Sequence, residues 1–165
     1  MEKRDLYDIN KNLTGETIYK GEDVPENKYI LVVLAFIQNS KGEFLIQKRS
    51  PQKNGKYAST GGHPKAGQTS LEGILTEIKE EIGLNVKENE LNLIFSGKSD
   101  EHRAFFDIYY LKKDVDIKDL VLQEEEVDFV EWCTIDKIKQ LINEGLFLEN
   151  DVNEFFRILN FLKLK

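Results

Sequence analysis

Gly62-His63-Pro64-Lys65-Ala66-Gly67-Gln68-Thr69-Ser70-Leu71-Glu72-Gly73-Ile74-Leu75-Thr76-Glu77-Ile78-Lys79-Glu80-Glu81-Ile82-Gly83-Leu84 is the stretch on which the fold turns. Thr69 with Glu72 three positions on has capping-box spacing and Gly83 supplies a stop, so the spacing predicts a helix over Ser70–Ile82. At about 100° per residue, Leu71, Ile74, Leu75, Ile78 and Ile82 share one apolar arc, the face that packs on a sheet. Glu77, Glu80 and Glu81 share the adjoining arc, with Gly73 a turn earlier leaving room above them. Like charges at these spacings cost a few tenths of a kcal/mol per pair, and a hard divalent cation reverses that sign. Magnesium takes oxygen ligands and is usually shared between carboxylates and substrate phosphates. Spacing alone fits a solvated acidic helix face equally well.

Outward from this helix, strands and helices intermix. The Gly- and Pro-bearing segment from Ser50 to Gln68 reads as one long loop, and loops of that length in compact domains are usually functional. Before it, Tyr29 to Gln38 and Glu43 to Arg49 read as strands around the turn Asn39-Ser40-Lys41-Gly42. Leu6 to Ile9 and Glu16 to Tyr19 suit an N-terminal hairpin. After the helix, Leu91 to Gly97, Arg103 to Leu111 and Val127 to Cys133 are strand candidates, Thr134 opens a helix that Gly145 ends, and Asp151 to Leu164 has helical spacing. The pattern implies an α/β fold, a mixed sheet sandwiched between helices.

The chain of 165 residues suits one domain over 1–165. Its longest apolar stretch, Tyr29 to Ile37, is too short to span a bilayer, and no signal-like segment follows Met1, so the expected address is cytoplasmic with no membrane partner. Cys133, the single cysteine, reads as a buried thiol. A net charge of −7 argues against nucleic-acid binding through a basic surface.

The segment 62–84 resembles the Nudix box, written GX5EX7REUXEEXGU with U aliphatic. Gly62, Glu77, Ile78, Glu80, Glu81, Gly83 and Leu84 match it, and the likeness extends through Phe44 to Ser50 and Val130-Glu131-Trp132. The resemblance implies the Nudix fold, a mixed sheet in an α/β/α sandwich. It also implies Mg2+ or Mn2+ ligands at Glu77, Glu80 and Glu81, and cleavage of a phosphoanhydride bond. Two positions depart from the pattern: Gln68 stands where the box has Glu, and Thr76 where it has the Arg that helps orient the catalytic glutamates. Losing both charges together leaves no partner charge unpaired, so a working but slower enzyme is expected.

The hairpin residues Asp5-Leu6-Tyr7-Asp8 and Thr14-Gly15, with Gly62-His63-Pro64, resemble the Nudix branch related to isopentenyl-diphosphate isomerase. That isomerase relies on a cysteine where this chain has Gly61, and on a His and a Glu at positions placed here at Ile30 and Arg103. The proton-moving groups are therefore missing, and an isomerase-like scaffold performing hydrolysis is the expectation.

The catalytic candidates are Glu80, first choice as base, and Glu77, with the triplet Glu124-Glu125-Glu126 as an alternative source of the base. Substrate-binding candidates are Arg49, Lys48, Gly61, Gly62, His63 and Arg103, with Lys53, Lys56 and Lys65 nearby. Arg49 leads because a guanidinium grips phosphate with two bonds. His63 has two open roles, toward metal or phosphate or as a backbone-bonded loop histidine. Tyr57, Phe105 and Tyr110 can stack a base, though strand aromatics are more often core. The expected substrate is a nucleoside diphosphate derivative or a nucleoside di- or triphosphate. Alternatives are isomerase-like chemistry and a weakly catalytic nucleotide-binding module, and a homodimer is left open.

Overall fold

The computed structural model describes residues 2–163. Its center is a parallel pair, β3 (Ile30–Gln38) beside β8 (Ala104–Lys112), in continuous register from Ile30 opposite Ala104 to Gln38 opposite Lys112. Both strands are apolar on both faces, as central strands covered from two sides must be. The remaining partners run antiparallel: β7 (Asn92–Ser99) on β8, β9 (Val127–Cys133) and β5 (Tyr57–Ala58) on β4 (Phe44–Arg49), and β6 (Thr60–Gly62) on β3. The sheet is thus mixed and seven-stranded. The segment expected to be one loop contains β5 and β6, because strands of two and three residues are too short for a periodicity to register.

Strand alternation divides the core in two. Val33, Ile37, Leu45, Tyr109 and Leu111 meet Ile74, Ile78 and Ile82 of α1 (Ser70–Ile82). Phe36, Phe44, Ile46 and Ile108 face the other way, onto Ile138 and Leu141 of α2 (Ile135–Asn143) and Phe155 and Ile158 of α3 (Glu149–Lys163). This is the expected α/β/α sandwich. The expected third helix included Leu164, which lies outside the described residues. β1 (Lys3–Tyr7) and β2 (Leu13–Tyr19) form the separate N-terminal hairpin, tied to β3 through a bridge between Tyr7 and Tyr29. Cys133 is buried as expected, and burial pushes its thiol up to about 12. Among the described residues, no helix is long and apolar enough to cross a membrane.

One topological feature positions the site. β3 and β4 pair only at Gln38 and Phe44, beside their connecting turn, and then part. β6 lines the exposed edge of β3 and β5 that of β4, so the sheet opens into a V beneath the C-terminal half of α1.

Candidate active site

α1 begins and ends as its sequence dictates. Thr69 Oγ1 accepts from the Glu72 backbone N–H at 3.1 Å, Glu72 Oε1 accepts from the Thr69 N–H at 2.9 Å, and Gly83 closes the helix with φ 69°. With Ile74, Ile78 and Ile82 fixed in the core, the adjoining arc must face β6 and the opening of the sheet. The room expected beside Gly73 is filled by Pro64, whose Cγ would stand 2.6 Å from a Cβ there.

Two glycines let strand and helix approach. A Cβ on Gly61 would lie 2.4 Å from the Val33 carbonyl oxygen, and one on Gly62 would lie 2.5 Å from the Glu77 carboxyl carbon. Glu77 therefore rests directly on the β6 backbone.

The three box carboxylates occupy different environments. Glu81 is buried, and its Oε1 accepts from Gln47 Nε2 at 3.1 Å and the Gly61 N–H at 3.4 Å. Burial outweighs those bonds and pushes its carboxyl up to about 7. Glu77 is pushed up to about 8, first by burial and then by Glu81 and Glu80. Glu80 is more exposed and is paired with Lys65 Nζ at 2.5 Å. The expected convergence is incomplete: among the described residues, no three His, Cys, Asp or Glu side chains gather closely enough to hold a metal ion. Lys65 occupies an oxygen of Glu80 that a cation would need, a competition that helical spacing does not reveal. The donor set still suits a hard cation. It is all oxygen, and its two most buried carboxylates are charged only at a cost that a cation would offset.

These carboxylates line a cleft of about 720 Å³ that occupies the V of the sheet. Arg49, Gly61, Gly62 and His63 line it as expected, together with Lys53. Arg49 has no ion-pair partner within 4 Å among the described residues, and alternation places it on the same side of β4 as Leu45 and Gln47. His63 is held low, to about 4, chiefly by burial and then by Arg4 and Lys20, so it is neutral near pH 7 and offers one donor and one acceptor.

Two expected binding residues are not brought to the cleft. Lys48 points through the opposite face of β4, where its Nζ lies 5.4 Å from the Tyr57 ring and 5.9 Å from that of Phe129, its partners in register. A one-residue step along a strand reverses the side chain. Arg103, at a positive φ of 51° before β8, donates from Nη1 to the Val24 carbonyl at 2.6 Å and lines a separate surface hollow with Tyr29 and Asp100. Of the acidic triplet only Glu126 reaches the cleft, paired with Lys53 at 3.3 Å. Phe105 and Tyr110 are core.

The cleft also holds residues that the sequence reading passed over. Gln47 continues the apolar face of β4 as a polar residue. Asp151 and Glu154 sit on the core-facing side of α3, where Asp151 Oδ2 accepts from the Ser59 N–H and Oγ at 2.9 and 2.8 Å. A polar residue interrupting an apolar periodicity was the signal available for each. Arg4 and Lys20 come from the hairpin.

The NUDIX domain family model matches residues 28–150. A Nudix hydrolase of Listeria innocua is 35% identical over 165 residues, spanning 97% of this chain and 96% of its own. The crystal structure of a Deinococcus radiodurans protein superposes with a TM-score of 0.77 at 24% identity, covering 94% of this chain and 98% of that one. The NUDIX domain of Shewanella oneidensis NrtR, complexed with ADP ribose, superposes with a TM-score of 0.64 at 14% identity, covering 81% and 88%.

Proposed function

This chain belongs to the NUDIX family and is a Nudix-type pyrophosphohydrolase, and on that premise we propose that its single domain cleaves a phosphoanhydride bond in a nucleoside diphosphate derivative or a nucleoside di- or triphosphate with Mg2+ or Mn2+. The observation that carries this reading is the juxtaposition of Glu77, Glu80 and Glu81 with Arg49, which has no ion pair among the described residues, in one cleft of about 720 Å³, a size that suits a small organic diphosphate. Binding of ADP ribose by the Shewanella NUDIX domain, related to this chain in fold, is consistent with that substrate class.

Glu77, Glu80 and Glu81 would hold the cation, with Glu80 released from Lys65. When bound, the cation acidifies water and offsets charge on the phosphate oxygens. Arg49 binds the diphosphate through two parallel hydrogen bonds. The Gly61–Gly62 backbone admits it close to the strand, and neutral His63 adds a hydrogen bond without repelling the cation. Glu80, the most solvent-accessible of the three carboxylates, takes the proton from the attacking water, and Glu77 is the second catalytic carboxylate. Water adds to one phosphorus as the bridging P–O bond breaks, so the products are a nucleotide and the other half of the anhydride: phosphate from a diphosphate, phosphate or pyrophosphate from a triphosphate, or the phosphorylated substituent from a diphosphate derivative.

The test is a panel of nucleoside di- and triphosphates, nucleotide sugars and dinucleotides with Mg2+, read as released phosphate or nucleotide. Turnover abolished by chelation is the expected result, and metal-independent cleavage would overturn it. A second reading, a nucleotide-binding module of low activity, is favoured by the neutral pair Gln68–Thr76 in place of the charged box residues. Tight binding without turnover across the panel would select it.

A further inference from the structure

The β1–β2 hairpin precedes the segment matched by the family, which begins at residue 28, yet it closes one side of the cleft. β1 is fastened to the box loop. The Ala66 N–H donates to the Lys3 carbonyl at 2.8 Å, the Gly67 N–H donates to Asp5 Oδ2 at 2.8 Å, and Tyr7 and Tyr29 exchange backbone hydrogen bonds at 2.8 and 2.9 Å. Period-two alternation turns Leu6 and Ile18 into the core. Arg4 stands opposite Ile18 on that same inner face, and Glu2 and Lys20 follow toward the open end. The inner face is therefore apolar over the core and charged where it overhangs the cleft.

Arg4 is under-satisfied there. Its side chain is only 14% exposed, and its Nε is buried with no hydrogen-bond acceptor among the described residues. The carboxylate it meets, Glu2 Oε2, stands at 3.7 Å, beyond hydrogen-bond reach. Desolvating a guanidinium without filling its donors is costly, and an inner strand position would be served more cheaply by an apolar residue. An anionic ligand in the cleft removes that cost. Gly62 and His63 line the same cleft, and Arg4 acts electrostatically on His63, so its charge reaches the start of the box.

We propose that Arg4 is a substrate ligand whose guanidinium binds phosphate oxygens of the diphosphate, from the wall formed by the hairpin. The assignment rests on the hydrolase reading and adds a second guanidinium to Arg49, from a segment outside the matched family domain. A planar fork of N–H donors suits phosphate oxygens, whereas a lysine there would act only as a point charge.

Methylenediphosphonate, a diphosphate analogue with a non-hydrolysable P–C–P bridge, serves as the probe, titrated calorimetrically in Mg2+ into wild type, Arg4→Gln, Arg4→Lys and the double variant Glu2→Gln with Arg4→Gln. Hydrolysis of the best substrate from the panel is measured in parallel. Arg4→Gln is expected to weaken binding at least about tenfold and to raise KM by a similar factor, with kcat changed less than about threefold; Arg4→Lys recovers part of the loss. Wild-type affinity in Arg4→Gln overturns the assignment. So does full recovery in the double variant, which would make Arg4 merely the counter-charge of Glu2. If Arg4→Gln proves unstable on melting, the Arg4→Lys comparison decides alone, and binding equal to wild type overturns the assignment of phosphate oxygens to the Arg4 guanidinium. Wild-type protein that binds the analogue through Arg4 but hydrolyses nothing on the panel refutes the hydrolase reading and leaves the Arg4 assignment standing.

Discussion

Glu80 is held by Lys65 and Glu81 by Gln47, so each carboxylate a cation would share already has a partner of its own. Glu80→Gln is nearly isosteric but removes a charge from the ligand set, and kcat is expected to fall at least about a hundredfold with an unchanged melting temperature. Retained metal-dependent turnover would remove Glu80 from the mechanism. The two departures from the box have found each other: Gln68 Nε2 donates to Thr76 Oγ1 at 3.0 Å, while Gln68 Oε1 accepts from the Lys65 N–H at 2.8 Å. A charge inserted on one side alone is left without its partner. Thr76→Arg combined with Gln68→Glu should therefore exceed the product of the single effects on kcat, and a double-variant cycle showing simple additivity would contradict this coupling. At Gly61, a Cβ would press on the Val33 carbonyl at 2.4 Å, and Arg103 is engaged with Val24. Gly61→Cys is thus expected to lower stability and still give no exchange of solvent deuterium into isopentenyl diphosphate by NMR. Incorporation by either protein would restore the isomerase alternative.

Among the elements, α1 has both its own cap and its own stop, and those local features made it readable from sequence alone. Thr69→Ala removes the acceptor for the Glu72 N–H, worth about 1 kcal/mol, and should lower the melting temperature by about 2–4 °C in a domain of this size. An unchanged melting curve would show the helix to be fixed by packing alone. The longer strands were legible for a related reason, since β3, β4 and β8 have periodicity or apolar content over six or more residues. β5 and β6 were not, because they are strands only by virtue of the edges they pair with. The candidate site was legible where one element supplies its carboxylates to the cleft, at Glu77, Glu80 and Glu81. Where several elements meet, sequence gave no reach: Arg4 from β1 and Glu154 from α3 enter the same cleft, while Lys48, one step from Arg49, leaves it.

For the whole molecule, the cleft makes stability depend on pH. Glu77 and Glu81 titrate in the fold at about 8 and about 7 against an ordinary 4.5, so their contribution is full below 4.5 and is lost as pH rises through those values. Buried Asp151 is shifted in the same direction. His63, lowered from 6.5 to about 4, acts oppositely, with a contribution present above 6.5 and lost as pH falls toward 4. Between pH 6.5 and about 8 the carboxylates dominate. The melting temperature in chelator should fall across that window, and saturating Mg2+ should largely flatten the slope; a flat profile in chelator would refute the shifts. The parallel pairing of β3 with β8 bears on how the chain reaches this state. The entire box segment lies between those strands in sequence, so the central ladder closes only after a long loop has been gathered. Long-range pairing of this kind slows folding relative to local pairing, and the hairpin formed by β7 and β8 can assemble well before β3 joins it. A ribosome would release β3 long before its partner, leaving an apolar strand to wait for β8.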